Sequence, residues 1–357
     1  MPPARPAKPA KSSSKLPSRI TSTAEFARYV GLARTTVSRV LNGQPGLKPK
    51  TIERVEKAMA ETGFTPNAYA LHLKGKSTAM IGVCMENLLT PPAVQKLASL
   101  QRHLRERGYA SLIEVLDPGT GTKVVRHLLS MRVEGVVFIG HFQPVEIEQR
   151  IAELTGQGTP HLVIDQVGLA QANTVALDRP QAMIEVFEHL LGLGHRTFGL
   201  LGISGTTRSN QDRLRGIEAA LKAHGLTLGD ATHSFDHLHT RENDFSFGRQ
   251  LAHRFAELRK RPTAYVALND EIAIGALHGF QELGFKIPDD LSITGFNNQD
   301  VCEMTMPGLT SVDQQIEHTV TVAIDALFAQ FGAAPRAMPL LRKIAPKLVV
   351  RGSTGRA

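Results

Sequence analysis

Four polar side chains in one short segment, at Arg34, Thr35, Ser38 and Arg39, have the chemistry to bind nucleic-acid bases. An arginine can donate to both major-groove acceptors of guanine, and a threonine can hydrogen-bond a base edge or contact a thymine methyl group. Their spacing places the four side chains on one face of a helix. A solvated amphipathic helix has the same pattern, so the spacing alone leaves both interpretations open.

Two short helices around a tight turn are predicted to position this polar face. Ser22 and Glu25 fit a capping box at the start of the first helix. Gly31 supplies the turn, because a positive φ costs glycine little. Apolar residues recur at helical spacing: Phe26, Ala27 and Val30 in the first helix, and Val37, Val40 and Leu41 in the second. This arrangement is a helix-turn-helix, which offers its second helix to the DNA major groove.

The distribution of charge favours the nucleic-acid interpretation. Through Lys76 there are 14 Lys and Arg against 4 Asp and Glu, a net of +10; the remaining 27 and 29 give −2, and together these make the chain's +8. A small basic module joined to a near-neutral larger part is the electrostatic pattern of phosphate binding. A membrane-surface module would need a wide apolar face with bulky aromatic residues, which this segment lacks.

The composition of the 357 residues is that of a globular chain with two or three domains. No apolar run is long enough to span a membrane and no signal-peptide core is present, so we expect a cytoplasmic protein without a membrane partner. Residues 1–18 are rich in Pro, Ala, Ser and Lys, which predicts a disordered basic tail. Cys84 and Cys302 are expected to be buried thiols rather than a disulfide.

The segment from Thr36 to Gly43, with the sequence TVSRVLNG, closely resembles the LacI/GalR family of bacterial transcription regulators. Matching segments follow in the family's order at 51–55, 63–68, 77–83, 193–196, 213–216, 269–271 and 295–298. The resemblance covers about residues 20–352, nearly the whole chain. It implies an N-terminal helix-turn-helix domain followed by a periplasmic-binding-protein-like core.

The resemblance implies roles for the polar face of the second helix. By the resemblance, Arg34 and Thr35 open the recognition helix and choose the operator bases, and Arg39 also reaches base edges. Thr36, Ser38 and Asn42 match residues that fix the register on the DNA backbone. Local helix capping is an alternative role for Ser38 and Asn42. The chain departs from the family at Ala33, where Ser or Thr is usual, and loss of such a cap costs roughly 0.5–2 kcal/mol.

Residues 67–74 match the family's hinge segment, which folds as a short helix when two subunits meet on DNA. Tyr69, Leu73 and Lys74 are the candidate DNA contacts here. The resemblance implies that Leu73 is a minor-groove wedge, and an apolar wedge unstacks a base step and bends the duplex. A plain linker is the alternative interpretation of this segment.

After Ser77, apolar strand-like runs alternate with amphipathic helix-like runs. The predicted strands are 79–85, 111–115, 135–139, 161–165, 198–202, 265–269 and 291–296, and the predicted helices include 94–107, 179–191, 213–224, 247–260 and 271–283. This order predicts an α/β fold with doubly wound parallel sheets. The resemblance adds that the core consists of two such subdomains around a cleft.

Ligands of parallel sheets bind at the carboxyl ends of the strands, where this chain places polar residues. The candidate effector-binding residues are Asp165, Arg213, Asn243, Asn269 and Asn297. Arg213 and Asn243 are chosen because the resemblance aligns them with cleft positions. The alternatives are Asp165 as a turn cap and Arg213 as a structural residue that pairs with Asp212 or a neighbour. Asp270 is predicted to be a helix N-cap and not a ligand.

The effector implied by the resemblance is a sugar or related metabolite. Asn297 stands where the family commonly has Asp, and an amide keeps one acceptor, adds donors and lacks the charge. A phosphorylated or acidic ligand is therefore an alternative, given Arg208, Arg213 and Arg241.

No enzyme motif is found: the chain lacks a P-loop, HExxH and paired CxxC, and Gly202-Ile203-Ser204-Gly205 does not fit the GxSxG elbow. His233, His237 and His239 lie close together in sequence, but metal binding needs converging ligands. We expect no catalysis, no cofactor and no metal.

The predicted organisation is a tail over 1–18, a helix-turn-helix domain over 19–66, a hinge over 67–76, an effector-binding and dimerisation core over 77–352 and a tail over 353–357. The resulting hypothesis is a homodimeric, ligand-controlled transcription regulator, a repressor, on a near-palindromic double-stranded operator. Control by a protein partner, as in catabolite-control members of the family, and a solute-binding protein are the alternatives.

Overall fold

The computed structural model describes residues 20–41, 44–65, 77–86, 88–116, 121–205, 207–235, 244–332 and 339–357. The chain divides into two compact units, Met1–Thr78 and Ala79–Ala357. Each unit has its own hydrophobic core.

The first unit contains three helices, α1 (Thr23–Val30), α2 (Arg34–Leu41) and α3 (Pro49–Thr62). The Ser22 side chain accepts a hydrogen bond from the Glu25 amide at 3.2 Å, as the capping box predicts, and Gly31 ends α1 at φ 68°. The apolar faces meet in a core that includes Val37 and Val55, closed by stacked rings of Phe26 and Phe64 with centroids 4.2 Å apart. The helix-turn-helix prediction is confirmed.

The second unit is α/β. Its first half contains β1 (Met80–Met85), α4 (Pro91–Glu106), β2 (Ala110–Val115), α5 (Gly121–Ser130), β3 (Gly135–Ile139), α6 (Pro144–Gly156), β4 (His161–Ile164) and β5 (Thr174–Leu177). Its second half contains α7 (Arg179–Gly192), β6 (Phe198–Leu201), α8 (Arg208–Ala223), α9 (Leu228–Ala231), β7 (Thr232–Ser234), α10 (Asp244–Ala256), β8 (Ala264–Ala267), α11 (Asp270–Glu282), β9 (Ser292–Asn297), α12 (Val301–Met304) and β10 (Thr310–Asp313). The chain ends with α13 (Ile316–Phe328), β11 (Leu341–Ile344) and β12 (Lys347–Val349).

Two six-stranded sheets result, in the orders β11-β5-β4-β3-β1-β2 and β12-β10-β9-β8-β6-β7. All described pairings are parallel except β10 with β12. Central strands such as β3 and β4 are buried on both faces, which explains their continuous apolar sequences. The predicted fold class is confirmed.

The chain passes between the two sheets three times. It leaves the first sheet after β5 and enters the second at β6, returns after β10 through Gln314 and Gln315 into α13, and crosses again between β11 and β12. Helix α13 packs its apolar residues into the core of the first sheet. The carboxyl ends of both sets of parallel strands are therefore connected by short crossover segments.

In the second half, α10 and α11 pack with their backbones in contact. A methyl group on Gly248 would overlap the Ile272 carbonyl, and one on Gly275 would overlap the Phe245 carbonyl. Only glycine has the small side chain that this approach requires.

Candidate functional site

Helix α2 presents a polar face and buries an apolar one. Arg34, Thr35 and Arg39 are exposed, Thr36 and Ser38 are partly exposed, and Val37 is fully buried in the core of the unit. The Arg39 guanidinium donates to the Pro45 carbonyl at 3.3 Å, which draws it toward the loop that follows the helix. The described base-reading candidates thus share one accessible face.

The start of α2 shows the consequence of the alanine at 33. The Ala33 carbonyl accepts from the Val37 amide at 3.0 Å, so Ala33 occupies the N-cap position without a side-chain oxygen to cap the helix. The turn is instead held from α3, where the Arg54 guanidinium donates to the Val30 carbonyl at 2.5 Å. Sequence reasoning did not identify Arg54, because nothing local in the sequence links α3 to that carbonyl.

Several predictions fall on residues outside the described ranges. These are the tail 1–18, the whole hinge segment 67–76 with its candidates Tyr69, Leu73 and Lys74, and the individual candidates Asn42 and Asn243, together with His237, His239 and Arg241. They remain predictions.

A cavity of about 680 Å³ lies at the carboxyl ends of the strands of the second unit. Its walls come from both halves, and the four described effector candidates, Asp165, Arg213, Asn269 and Asn297, all line it. Arg208, named with the alternative acidic ligand, is not in this lining; it is exposed, with its guanidinium against Gly168.

Asp165 is the centre of a buried ionic cluster. Its Oδ2 lies 2.5 Å from Lys96 Nζ and its Oδ1 lies 3.6 Å from Arg179 Nη2, with all three side chains no more than 7% exposed. Burial alone would raise the pKa of Asp165, but the charges of Lys96 and Arg179 outweigh it and hold the pKa below its usual range. The carboxylate is therefore ionised.

A chain of hydrogen bonds leads from this cluster to the other half of the unit. Lys96 Nζ donates to Gln314 Oε1 at 3.0 Å, and Gln314 Nε2 donates to Asn297 Oδ1 at 2.5 Å. Gln314 lies on the crossover between β10 and α13. The amide of Asn297 thus serves as an acceptor inside the protein, which an aspartate could also do.

Arg213 reaches the cavity from α8. It is 5% exposed, its Nη1 donates to the carbonyl and hydroxyl oxygens of Ser209 at 3.2 and 2.5 Å, and its guanidinium lies 4.4 Å from the centroid of the Phe296 ring. Its neighbour Asp212 bonds to Arg215 instead. The hydrogen bonds of Arg213 thus go to its helical neighbour Ser209 and not to Asp212, because successive residues of a helix point to different faces.

Another part of the cavity wall is acidic. Asn269 Nδ2 donates to Asp244 Oδ2 at 2.5 Å, and Glu271 Oε1 accepts from Gln299 Nε2 at 2.8 Å. Within the described residues, Glu271 Oε2 is buried and lacks a hydrogen-bond partner. This wall offers carboxylate and amide oxygens to donors such as hydroxyl groups.

The helix-cap prediction at Asp270 is wrong. Asn269 is the N-cap of α11, and its Oδ1 accepts from the Ile272 amide at 2.9 Å. Asp270 is fully buried, where its carboxylate accepts from the Ser311 hydroxyl at 2.5 Å and the Gln299 amide at 2.8 Å. Asn269 therefore both caps a helix and lines the cavity.

The backbone around the cavity is unusual. Asp165, Asn297, Asn298 and Gln315 all have positive φ, at 78°, 120°, 51° and 53°. Such conformations cost non-glycine residues free energy and cluster at functional sites. They turn the chain sharply at the strand ends, which directs side chains into the cleft.

Sequence reasoning missed several residues of the cavity, notably Lys96, Arg179, Gln314 and Glu271. For Lys96 a signal was available: it falls at helical spacing with Ala93, Leu97 and Leu100, on the apolar face of α4. A lysine on an apolar face needs a buried partner.

His141, another lining residue, is partly buried, and its Nδ1 atom is buried with no hydrogen-bond partner among the described residues. Burial, and next the charge of Arg179, lowers the pKa of His141 to about 3. The ring is neutral at pH 7.

Within the described ranges no group of three or more His, Cys, Asp and Glu could hold a metal ion. Cys84 and Cys302 are buried and unpaired, as predicted. No helix in the described part of the chain is long and apolar enough to cross a membrane.

Two family models match the chain. Residues 24–67 match the bacterial regulatory proteins of the lacI family, and residues 187–354 match a periplasmic binding protein-like domain. The HTH-type transcriptional regulator DegA of Bacillus subtilis is 30% identical over 300 residues, which cover 83% of this chain and 87% of DegA. The chain belongs to the LacI family. It is a DNA-binding transcriptional regulator.

Other LacI-family proteins show the same breadth of similarity. Catabolite control protein A of Staphylococcus epidermidis is 31% identical, with 82% of this chain and 87% of that protein covered. The lac repressor dimer bound to operator and the anti-inducer ONPF matches with a TM-score of 0.81 and 25% identity, over 94% of this chain and 99% of that one. The cellobiose complex of the regulator CelR matches in fold, with a TM-score of 0.65, 23% identity and coverage of 94% and 100%.

Proposed function

We propose that this LacI-family regulator is a homodimeric repressor whose operator affinity is controlled by a small, hydroxylated metabolite bound in the cleft of its second unit. The observation that carries the proposal is the cavity of about 680 Å³ at the carboxyl ends of both sets of strands, lined by polar side chains from both halves. This is the position at which parallel sheets bind ligands. The protein acts by binding, without catalysis, on DNA in the bacterial cytoplasm.

The operator contacts are assigned to α2. Arg34 and Thr35 at its first turn, with Arg39 one turn further, read base edges, while Thr36, Ser38 and Asn42 hold the backbone register. Tyr69, Leu73 and Lys74 add minor-groove contacts in the hinge segment. Two subunits place their α2 helices in successive major grooves, about one helical turn apart, so the operator is near-palindromic.

The effector contacts are assigned to Asp165, Arg213, Asn269 and Asn297, with Asn243 as a further contact. The domain assignment is a DNA-binding module over 19–66, a hinge over 67–76 and a core over 77–352. An effector changes operator affinity only if it binds one conformation of the core more tightly than another.

Regulation by a protein partner is a second candidate, favoured by the similarity to catabolite control protein A. It predicts that a protein co-purifies with the regulator and that no metabolite changes the thermal unfolding of the core. A solute-binding protein is disfavoured because residues 24–67 match the DNA-binding family model.

The deciding experiment is selection of bound sequences from a random double-stranded DNA pool by the purified full chain at moderate salt. We expect a near-palindromic site whose occupancy changes when a metabolite extract is added. An Arg34→Ala, Arg39→Ala double variant is the control for enrichment that does not depend on α2. Lack of enrichment with and without extract would contradict operator recognition, and a site with unequal halves would contradict the dimer.

A further inference from the structure

Three buried cationic side chains line the cavity, and one carboxylate lies in ion-pair contact with them. Lys96, Arg179 and Arg213 are each about 5% exposed. Asp165 is the carboxylate that contacts this group, at 2.5 Å from Lys96 and 3.6 Å from Arg179. Counted within ion-pair distance, one carboxylate faces three cations, which leaves a local excess of positive charge.

Arg213 is the cation with the least compensation. Its described hydrogen bonds go to uncharged oxygens of Ser209, and no carboxylate lies within ion-pair distance of it among the described residues. Its Nε, like that of Arg179, is buried without a described hydrogen-bond partner. Burying such a charge is costly unless a counter-charge is supplied.

The other carboxylates of the cavity are engaged elsewhere. Glu86 accepts from the His141 amide at 2.7 Å, Glu271 accepts from Gln299, and Asp244 accepts from Asn269. Among the described residues, they leave Lys96, Arg179 and Arg213 without a second acid in ion-pair contact. The cavity wall therefore combines buried cationic donors with carboxylate and amide oxygens.

We infer that the effector carries an anionic group, a carboxylate or a phosphate, on a hydroxylated body. The anion binds between the guanidinium groups of Arg213 and Arg179, and the hydroxyl groups donate to Glu271 and to the amides of Asn269 and Asn297. Guanidinium groups bind carboxylate and phosphate through paired, charge-assisted hydrogen bonds. This inference rests on the proposed function, because it assumes that the cavity holds the effector.

A neutral sugar would leave the charge excess in place. Its hydroxyl groups would accept hydrogen bonds from the three cationic side chains, but they would exclude water without adding negative charge, which makes the buried cations less stable. An anion of the same size supplies both the hydrogen-bond acceptors and the negative charge. The sequence contained part of this signal in Arg213, and the structure adds Lys96 and Arg179.

The test is a panel of matched ligands: glucose, galactose, mannose and ribose, each compared with its aldonate and its terminal phosphate, with the uronate added for the three hexoses. Thermal unfolding of the full chain and titration calorimetry report binding. We expect at least one anionic compound to bind at least tenfold more tightly than its neutral parent. Tighter binding by a neutral parent, or no binding by any anionic compound, would overturn the inference. The carboxylate and phosphate series distinguish the two sources of charge.

Variants locate the anion. Arg213→Gln is expected to weaken binding of the anionic compound at least tenfold, and Arg213→Lys to weaken it less, because lysine keeps the charge but not the forked geometry. Lys222→Gln removes a positive charge from the exposed face of the same helix and serves as the matched control. Circular dichroism checks that each variant is folded. Equal losses in Arg213→Gln and Lys222→Gln would contradict a local contact.

Measurement of operator binding distinguishes a failure of the anionic-effector inference from a failure of the proposed ligand control. A neutral sugar that binds and changes operator occupancy would preserve ligand control and overturn the anionic effector. An anionic compound that binds in an Arg213-dependent manner but leaves operator occupancy unchanged would preserve the anion site and contradict ligand control.

Discussion

The ammonium group of Lys96 on α4 lies 2.5 Å from the carboxylate of Asp165, which directly follows β4, and both side chains are buried. The pair joins residues that are far apart in sequence at the edge of the sheet where the cavity opens. Lys96 also donates to Gln314 in the crossover to α13, so one side chain connects the strand end, the helix and the crossover.

Lys96→Met is expected to destabilise the second unit by about 3 kcal/mol, because it leaves a buried carboxylate with Arg179 alone. Asp165→Asn should also destabilise the second unit, and this loss reports on the ion pair because asparagine tolerates the positive φ at this position. The double variant should lose less than the sum of the two single losses. Urea unfolding measures all three, and additive losses would show that the pair contributes no coupling.

Glu317 on α13 predicts a pH dependence. The Ser99 hydroxyl donates to it at 2.7 Å and His103 Nε2 lies 2.8 Å away, and these contacts, with Arg102, lower the pKa of Glu317 to about 2 despite some desolvation. The folded-state pKa is depressed, so the stabilisation is complete above the ordinary value of 4.5 and is lost as pH falls from there toward 2.

The measurement compares Glu317→Gln with the wild type in urea at several pH values. Because the side chain is 58% exposed, screening keeps the difference at pH 7 within about 1 kcal/mol. The difference should shrink to zero toward pH 2. Glu218→Gln, on the exposed face of α8, is the control and should follow the wild type. A difference that is constant with pH would rule out the ionic contribution.

Arg34→Ala is expected to weaken binding to the selected operator by about 1–3 kcal/mol and to relax base choice at one position of each half-site. Lys57→Ala, an exposed change on α3, controls for loss of charge. Titrations on the selected site and on its single-base variants report the result. Equal weakening on every sequence would identify Arg34 as a phosphate contact.

Ala33→Ser should stabilise the start of α2, because serine supplies the missing cap, by about 0.5–2 kcal/mol. Amide hydrogen exchange over residues 34–41 in the full chain should slow by about two- to thirtyfold. Ala60→Ser makes the same change on the exposed face of α3 and should leave this segment unaffected. Unaltered exchange in Ala33→Ser would mean that the Arg54 contact already holds the turn.

Leu73→Ala tests the hinge assignment. If Leu73 is a minor-groove wedge, its loss should reduce both operator affinity and DNA bending, since the energy of unstacking is no longer offset by the inserted side chain. Gel mobility of circularly permuted operator fragments measures the bend, and effector affinity should be unchanged. Full bending in the variant would favour a plain linker.

The sequence predicts the central strands well because they are buried on both faces and read as continuous apolar runs. The predicted strands do not include β5, β7, β10, β11 or β12, which have only three or four residues each. Of these, β7 (THS) and β11 (LRKI) are also rich in polar residues and lie at the sheet edges. Their pairing depends on neighbours that are distant in the chain, so local periodicity contains no signal for them.

The sequence likewise predicts one part of the cavity lining and not the other. Asp165, Asn269 and Asn297 follow apolar strands, and strand ends are where ligands bind. Lys96 and Arg179 enter only through tertiary packing. The error at Asp270 has the same origin: both Asn269 and Asp270 are good caps, and the choice between them depends on Ser311, which is 41 residues away.

The backbone contact between α10 and α11 at Gly248 and Gly275 limits how the second half can respond to a ligand. Main-chain atoms in contact have no alternative rotamers, so we expect these two helices to move together as one rigid unit. We expect any rearrangement on ligand binding to occur at the crossovers between the two sheets, one of which is Gln314 and Gln315. Gln314 bonds both Lys96 and Asn297, so this crossover contributes a residue to the cavity wall.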